Sequence, residues 1–398
     1  MQNITRRVEE QLQQDLDKKM VFIAGPRQVG KTTLAEKLSD SFSSRYYSWD
    51  ILEHRKLIKE NTLDLKSELW IFDEIHKYRQ WRNWLKGCFD LHKSEHKILV
   101  TGSAKLDVYN RGGDSLQGRY FFHRLHPFTL SEVLGIKFNG DIDAIPLLTN
   151  EPNIRDSQSS LETLLRLSGF PEPFLSQSVI DFSRWQLSYG HRLVQEDIRN
   201  LEKIIELDKM ETLYEHLPKT VGSILSINSL REDLEVNHRT VSNWIKIFEK
   251  NYACFRIPPF GTSKIKAVKK EQKLYMWNSA LAEKDSAKFE NLIALHLLRL
   301  CHYITDLKGI KCELRYFRDT KGREVDFIIM KNNKAWMAIE VKESEQDLDS
   351  NLKYLLERSE IPYAFQLHLN GNLHKKLPNI NKTQIQIMPA SQFLVNLP

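Results

Sequence analysis

The sequence predicts an α/β protein, with a parallel sheet in its N-terminal part and a second α/β unit at its C-terminal end. Two observations carry the first half. Short apolar runs recur at Met20–Ile23, Leu69–Phe72 and Ile98–Val100, and each leads straight into glycine, acidic or small polar residues. Helix-like stretches separate them. Continuous apolar runs of this length suit parallel strands buried on both faces. A third observation carries the second half. Between Glu313 and Lys342 three strand-length segments follow one another, with charged residues interleaved among apolar ones.

The elements follow in order. Residues 5–19 read as a polar helix leading into the strand Met20–Ile23. Next comes Ala24-Gly25-Pro26-Arg27-Gln28-Val29-Gly30-Lys31-Thr32-Thr33, and then a helix to about Leu38 that Ser39-Asp40-Ser41 breaks. The spacing G-x4-G-K-T between a strand and a helix is that of a phosphate-binding P-loop. Gly25, Pro26, Arg27, Gln28, Val29, Gly30, Lys31, Thr32 and Thr33 are therefore the expected ATP-binding set. Backbone N–H groups and the helix N-terminus would face the phosphates. Lys31 would reach the β/γ oxygens, and Thr32 would offer its hydroxyl to Mg2+. Gly25 and Gly30 allow backbone angles and close approach that a Cβ would block.

Arg45–Asp50 reads as a second, aromatic-rich strand, and Ile51–Glu60 as a helix. Leu69-Trp70-Ile71-Phe72-Asp73-Glu74 then runs four apolar residues into two acids. Acids at the C-terminal end of a buried strand lie where open α/β sheets bind ligands. This is the form of a Walker B motif, in which Asp73 would hold Mg2+ and Glu74 would polarise the attacking water. Lys97–Ser103 is a further strand, and Ser103 or Thr101 is placed to sense the γ-phosphate.

Residues 136–160 read as a loop or linker. Leu161 to about Asp208 is helical, with Tyr189, Leu193, Ile198 and Leu201 on one face, and reads as a lid. Ser226–Leu234, a turn at Val236-Asn237-His238, Arg239–Lys250 and the strand Cys254–Pro259 suggest a winged helix. Val241, Trp244, Ile245 and Phe248 would point inward; Arg239, Lys246 and Lys250 would be phosphate contacts on DNA. Gly261–Tyr275 holds Lys264, Lys266, Lys269, Lys270 and Lys273 against the single acid Glu271.

Farther on, Phe289–Leu298 reads as an amphipathic helix with Glu290 near its start. Glu313–Asp319, Gly322–Met330 and Ala335–Lys342 read as strands. Alternation places Val325, Phe327 and Ile329 on one face, and Glu324 and Asp326 on the other. If the last two strands pair, Asp326, Glu340 and Lys342 meet on one face, with Glu290 joining from the helix.

The N-terminal motifs resemble those of the AAA+-like P-loop ATPases of bacteria and archaea that carry a C-terminal domain of uncharacterised function. The residues that carry the resemblance are G-P-R-Q-V-G-K-T-T, L-W-I-F-D-E-I-H, W-x-x-W-L-K at Trp81–Lys86, V-T-G-S-A, the run from Gly118 to Glu132, and S-G-F-P-E-P at Ser168–Pro173. The resemblance implies a catalytic arginine near the end of the ATPase core, acting in its own chain or on a neighbour's. Arg119 matches best, with Arg111 as the alternative. The C-terminal constellation resembles the PD-(D/E)xK nuclease superfamily. That resemblance implies Mg2+ on Asp326 and Glu340, completed by Glu290, with Lys342 orienting or deprotonating water. One departure stands at Asn278 and Ala280, where the ATPase family usually has Asp and Gly.

The expected organisation is an AAA+-like ATPase core over 1–135, a linker and helical lid over 136–205, a winged-helix module over 206–260, and a restriction-endonuclease-like domain over 261–398. The 398 residues, 41% hydrophobic and 28% charged, are enough for several cores and ordinary for globular protein. No apolar run approaches the roughly 20 residues that span a bilayer, and Met1–Met20 lacks an apolar signal core. A cytoplasmic protein with no membrane partner is expected. Cys88, Cys254, Cys301 and Cys312 are scattered, which points to neither zinc nor a disulfide framework. The net charge of +6 permits DNA as a partner without requiring it, and an arginine acting in trans would require a homo-oligomer. The function these readings suggest is a Mg2+-dependent, ATP-hydrolysing switch or motor coupled to nucleic acid. The alternatives are an ATP-gated interaction scaffold with a non-cleaving C-terminal domain, or an ATP-regulated, metal-dependent DNA nuclease acting in defence.

Overall fold

The computed structural model describes residues 4–102, 106, 116–138, 141–147, 154–199, 206–261 and 271–398. The N-terminal unit is a five-stranded parallel sheet of β1 (Met20–Ala24), β2 (Ser44–Ser48), β3 (Leu69–Asp73), β4 (Lys97–Gly102) and β5 (Tyr120–Arg124), in the order β2-β3-β4-β1-β5. Strand alternation feeds two apolar layers. Val21, Ile23, Ile71 and Leu99 face Leu12, Leu34 and Leu38 on one side; Phe22, Trp70, Phe72 and Val100 face Trp81, Leu85 and Cys88 on the other. Both faces are covered, which is why these strands read as continuous apolar runs. Sequence reasoning missed β5, whose edge position leaves most of Tyr120–Arg124 only partly buried. Its aromatic run Tyr120-Phe121-Phe122 is the signal that was there to find.

The helical region begins earlier than expected. A helix spans Ile154–Leu167 and so begins within the expected loop 136–160, because Leu161, Leu164 and Leu167 bury one face. Helices follow at Pro171–Ser176 and Val179–Arg192; the second runs into a π-turn at Leu193–Ile198. Tyr189, Leu193 and Ile198 are buried as expected, and Leu201 lies outside the described residues. Next come helices Ile227–Asp233 and His238–Lys250, capped by the Ser226 hydroxyl and the Asn237 side chain. Val241, Trp244, Ile245 and Phe248 face inward. An antiparallel ribbon of β6 (Cys254–Ile257) and β7 (Lys273–Met276) follows.

The C-terminal unit is a mixed sheet of β8 (Cys312–Arg318), β9 (Glu324–Lys331), β10 (Lys334–Ser344), β11 (Tyr363–Asn370), β12 (Lys375–Ile380) and β13 (Thr383–Pro389), in the order β12-β13-β11-β10-β9-β8. Its register on β8 slips between Phe317↔Val325 and Arg315↔Ile328, a bulge at Asp326–Phe327. Regular alternation therefore fails there. Val325 packs with Ile328 and Met330 in one cluster, and Phe327 and Ile329 belong to the other.

The helix expected over Phe289–Leu298 spans Asp285–Lys308 and is not amphipathic. From Phe289 to Cys301 it is buried nearly all round, because elements of both units pack on it. Its polar residues are spent on those neighbours. Asn291 pairs with both backbone groups of Met276, and His296 Nε2 accepts from the Leu130 amide. Arg299 reaches Glu132, His302 bonds His126, and Asp306 takes the Arg124 guanidinium.

Candidate functional site

The P-loop joins β1 to the helix Lys31–Ser39. A Cβ on Gly25 would run into the Leu125 carbonyl oxygen, so the loop can close against the end of β5 only with glycine there. Gln28 and Gly30 adopt left-handed backbone angles, with φ of 60° and 96°. Pro26 and Val29 are buried and anchor the loop; Thr32 and Thr33 are exposed on the first helical turn. The buried Lys31 ammonium donates to the Gly25 and Pro26 carbonyls at 3.0 and 2.6 Å. Burial pulls it down to about 8, against the pull of Glu74 and Asp73.

Parallel pairing brings the C-terminal ends of β1, β3 and β4 to the same edge. Asp73, the last residue of β3, accepts from Tyr46 Oη at 2.6 Å and from the Thr101 hydroxyl. The Thr101 hydroxyl, one of the two groups expected to sense a γ-phosphate, is thus bonded to this acid. Ser103, the other residue given that task, lies outside the described residues, as does Arg111. Glu74 has a left-handed backbone, φ 54°, and its amide donates to the Thr101 carbonyl. A non-glycine residue held there is strained. Burial raises the Glu74 carboxyl above the usual range, with Lys77 at 3.5 Å opposing it.

Lys31, Thr32, Thr33, Asp73 and Glu74 line one cleft of about 780 Å3, together with Gln28, Gly30 and Arg27 from the loop. Its other wall comes from the helices after residue 154, where Pro171 packs 3.6 Å from the Gly30 Cβ position. Arg27 reaches across to the π-turn and pairs with Asp197 at 2.7 Å and Glu196 at 3.0 Å. Sequence reasoning missed Tyr46, Asp197 and this crossing.

Arg119 does not join the cleft. It stands just before β5, at the amino edge of the sheet, and its carbonyl accepts from the Met20 amide. Five residues of strand separate that edge from Gly25, about 16 Å. Its guanidinium is a fork onto Asp90 at 2.7 and 3.0 Å. As an arginine acting on its own chain's nucleotide, Arg119 is corrected by this placement.

In the C-terminal unit, β9 and β10 do bring Asp326, Glu340 and Lys342 together. The Asp326 amide donates to Glu340 at 3.3 Å, the Val341 amide to Asp326 at 2.9 Å, and Lys342 to Glu340 and Asp349, each at 2.8 Å. Burial and the neighbouring carboxylates push Asp326 well above its ordinary range; burial pushes Glu340 up to about 7. Glu290 faces the same centre, but Lys273 from β7 stands between. Its ammonium is 2.6 Å from Glu324, 3.2 Å from Glu290 and 3.7 Å from Asp326. Burial alone would depress Lys273; these three acids outweigh it and hold the ammonium above the usual lysine range. Among the described residues, no group of three or more His, Cys, Asp or Glu side chains is arranged to hold a metal ion. The expected metal set of Glu290, Asp326 and Glu340 is corrected accordingly.

Comparison with known proteins finds similarity to three domain families along the chain. Residues 17–134 match a family described as an AAA domain. The match supports the P-loop ATPase character that the loop and the acids of β3 give this part of the chain. Residues 158–289 and 286–393 match two domains of unknown function, DUF8612 and DUF4143. An uncharacterised protein of Methanocaldococcus jannaschii is 23% identical over 93% of this chain and 85% of its own length. Uncharacterised proteins of Mycobacterium bovis and Mycobacterium tuberculosis are 21% identical over 66% of this chain, which spans 55% of their length. Among solved structures, the Aeropyrum pernix ORC1 protein in complex with DNA aligns over 73% of this chain and 91% of its own, at 14% identity and a TM-score of 0.29. PCH-2 of C. elegans aligns over 46% of this chain and 65% of its own, at 14% identity and a TM-score of 0.23. No described helix is long and apolar enough to cross a membrane.

Proposed function

We propose that the chain is a Mg2+-dependent ATP hydrolase that works as a switch on nucleic acid. The observation that carries this reading is the single cleft shared by Lys31, Thr32, Asp73 and Glu74 at the carboxyl edge of a parallel sheet. The residues suit ATP and its cation. Lys31 supplies a cation beside the loop, and Thr32 and Asp73 supply the hard oxygen ligands Mg2+ prefers. When bound, Mg2+ would neutralise charge between the phosphates. Tyr46 and Thr101 hold Asp73 in orientation, and Glu74 takes the place of the base that orients and polarises water. Burial raises the Glu74 carboxyl above the usual carboxylate range, which makes it a better proton acceptor than an exposed glutamate.

The nucleic-acid arm rests on the helix–turn–helix and its ribbon, the reading as a winged helix. Arg239, Lys246 and Lys250 are exposed on the second helix, while its apolar face is buried. Phosphate contacts from this helix would make affinity fall steeply with salt. The decisive measurement is ATP hydrolysis with and without DNA. Wild-type turnover should rise with DNA, and Lys31→Ala should lower it about 100-fold or more. Undiminished turnover in Lys31→Ala would remove the ATPase assignment. Turnover indifferent to DNA, with no DNA binding at low salt, would leave an ATP-gated protein scaffold.

A further inference from the structure

The acids expected to hold a metal in the C-terminal unit are already matched by donors from the chain. Asp326 Oδ1 faces the Lys273 ammonium at 3.7 Å, and Oδ2 accepts from the Val341 amide at 2.9 Å. Glu340 Oε1 accepts from Lys342 at 2.8 Å, and Oε2 from the Asp326 amide at 3.3 Å. Glu290 Oε1 accepts from both Lys273 and Tyr275 Oη, at 3.2 and 2.7 Å. Glu324 completes the set 2.6 Å from Lys273, and Arg318 holds its second oxygen at 3.0 Å.

Lys273 cannot easily leave. Its side chain is 2% exposed. Its backbone is held on two sides, by β6 at Ile257 and by a bridge to Ile224. A divalent cation needs several oxygen ligands at about 2–2.6 Å. An ammonium among Glu290, Glu324 and Asp326 competes with it for the same oxygens and repels its charge. A buried acid cluster needs compensating cations, and here the chain provides its own.

We propose that Lys273 is the resident cation of this centre. It replaces a divalent metal, so the centre takes up neither Mg2+ nor Mn2+ and does not cut phosphodiesters by a metal-assisted route. The centre is instead an electrostatic clasp that fastens the ribbon and the long helix to the mixed sheet.

The test is Mn2+ titration of the full chain, followed by the electron paramagnetic resonance of free Mn2+. Every protein carries Asp73→Asn, so the nucleotide cleft does not contribute and the ATPase reading is not at issue. With Lys273 intact, adding Asp326→Asn should leave Mn2+ binding unchanged. Lys273→Met should create a Mn2+ site that the parent lacks, raising the bound Mn2+ at low concentration about tenfold or more, and Asp326→Asn should abolish it. Mn2+ bound with Lys273 present and lost on Asp326→Asn would overturn the proposal. So would a folded Lys273→Met protein with no gain of Mn2+. If Lys273→Met does not fold, the comparison with Lys273 intact still decides.

Discussion

At Lys31, burial and function pull against each other. Its ammonium is lowered to about 8, so it is charged at neutral pH and loses its proton readily above that value when no phosphate is near. ATP affinity should therefore fall as pH rises through about 8. It should fall less in Lys31→Arg, whose guanidinium stays charged. The same titration acts on stability with the opposite sign. The folded value lies below the unfolded lysine value of 10.5, so the unfolded chain binds more protons between about 8 and 10.5. The nucleotide-free protein should become more stable across that window as pH rises. Calorimetric ATP binding and urea midpoints, taken below and above pH 8, check both signs. Glu74→Gln should retain ATP binding and lose about 100-fold or more in turnover, read from single-turnover rates. Lys31, Thr32, Asp73 and Glu74 were legible because each sits at a fixed offset from a glycine or an apolar run. Tyr46, Asp197 and Lys273 were not, because each meets its acid or cation across a sheet or between units, and no local spacing records that contact.

The elements were legible where one period governed them. Strands β1, β3 and β4 announce themselves because both faces are buried, and the helix His238–Lys250 because its apolar stripe repeats at 3.6 residues. Where a second body interrupts the period, the reading failed. The bulge at Asp326–Phe327 reverses the faces of β9, and the helix Asp285–Lys308 loses its polar side to packing. The short helix Leu130–Val133 shows what such packing costs to disturb. Its Glu132 closes a capping box on Thr129 and lies 3.2 Å from Arg299 and 3.7 Å from Arg6, all three buried. Glu132→Ala should destabilise the protein by about 3–5 kcal/mol, since it strands two buried guanidiniums. Replacing Arg6, Glu132 and Arg299 together by apolar residues should recover most of that loss; denaturant melts compare the two. Gly25→Ala should cost about 1–3 kcal/mol through its clash with Leu125.

Across the whole molecule, the cleft and the C-terminal unit meet in three consecutive residues. Leu125 backs the P-loop at Gly25. Its neighbours Arg124 and His126 hold Asp306 and His302 of the long helix. A shift of the loop on binding ATP would press on this segment. Asp306→Ala should leave basal hydrolysis within about twofold while weakening DNA stimulation by a coupling of about 0.5–2 kcal/mol, measured as the ratio of stimulated to basal rates. The nearly all-round burial of Phe289–Cys301 has a further consequence, for how such chains can change over time. A helix whose every side is claimed by a different neighbour cannot travel with one half alone. A recombinant that borrows its C-terminal unit from a distant relative inherits mismatched partners at Leu130, Glu132 and His126 together. Cut before Asp285, the remaining fragment should be insoluble, since the apolar surface that receives Phe289, Leu292 and Leu300 would be left bare. A grafted version should therefore work only if both sides of the helix are replaced at once.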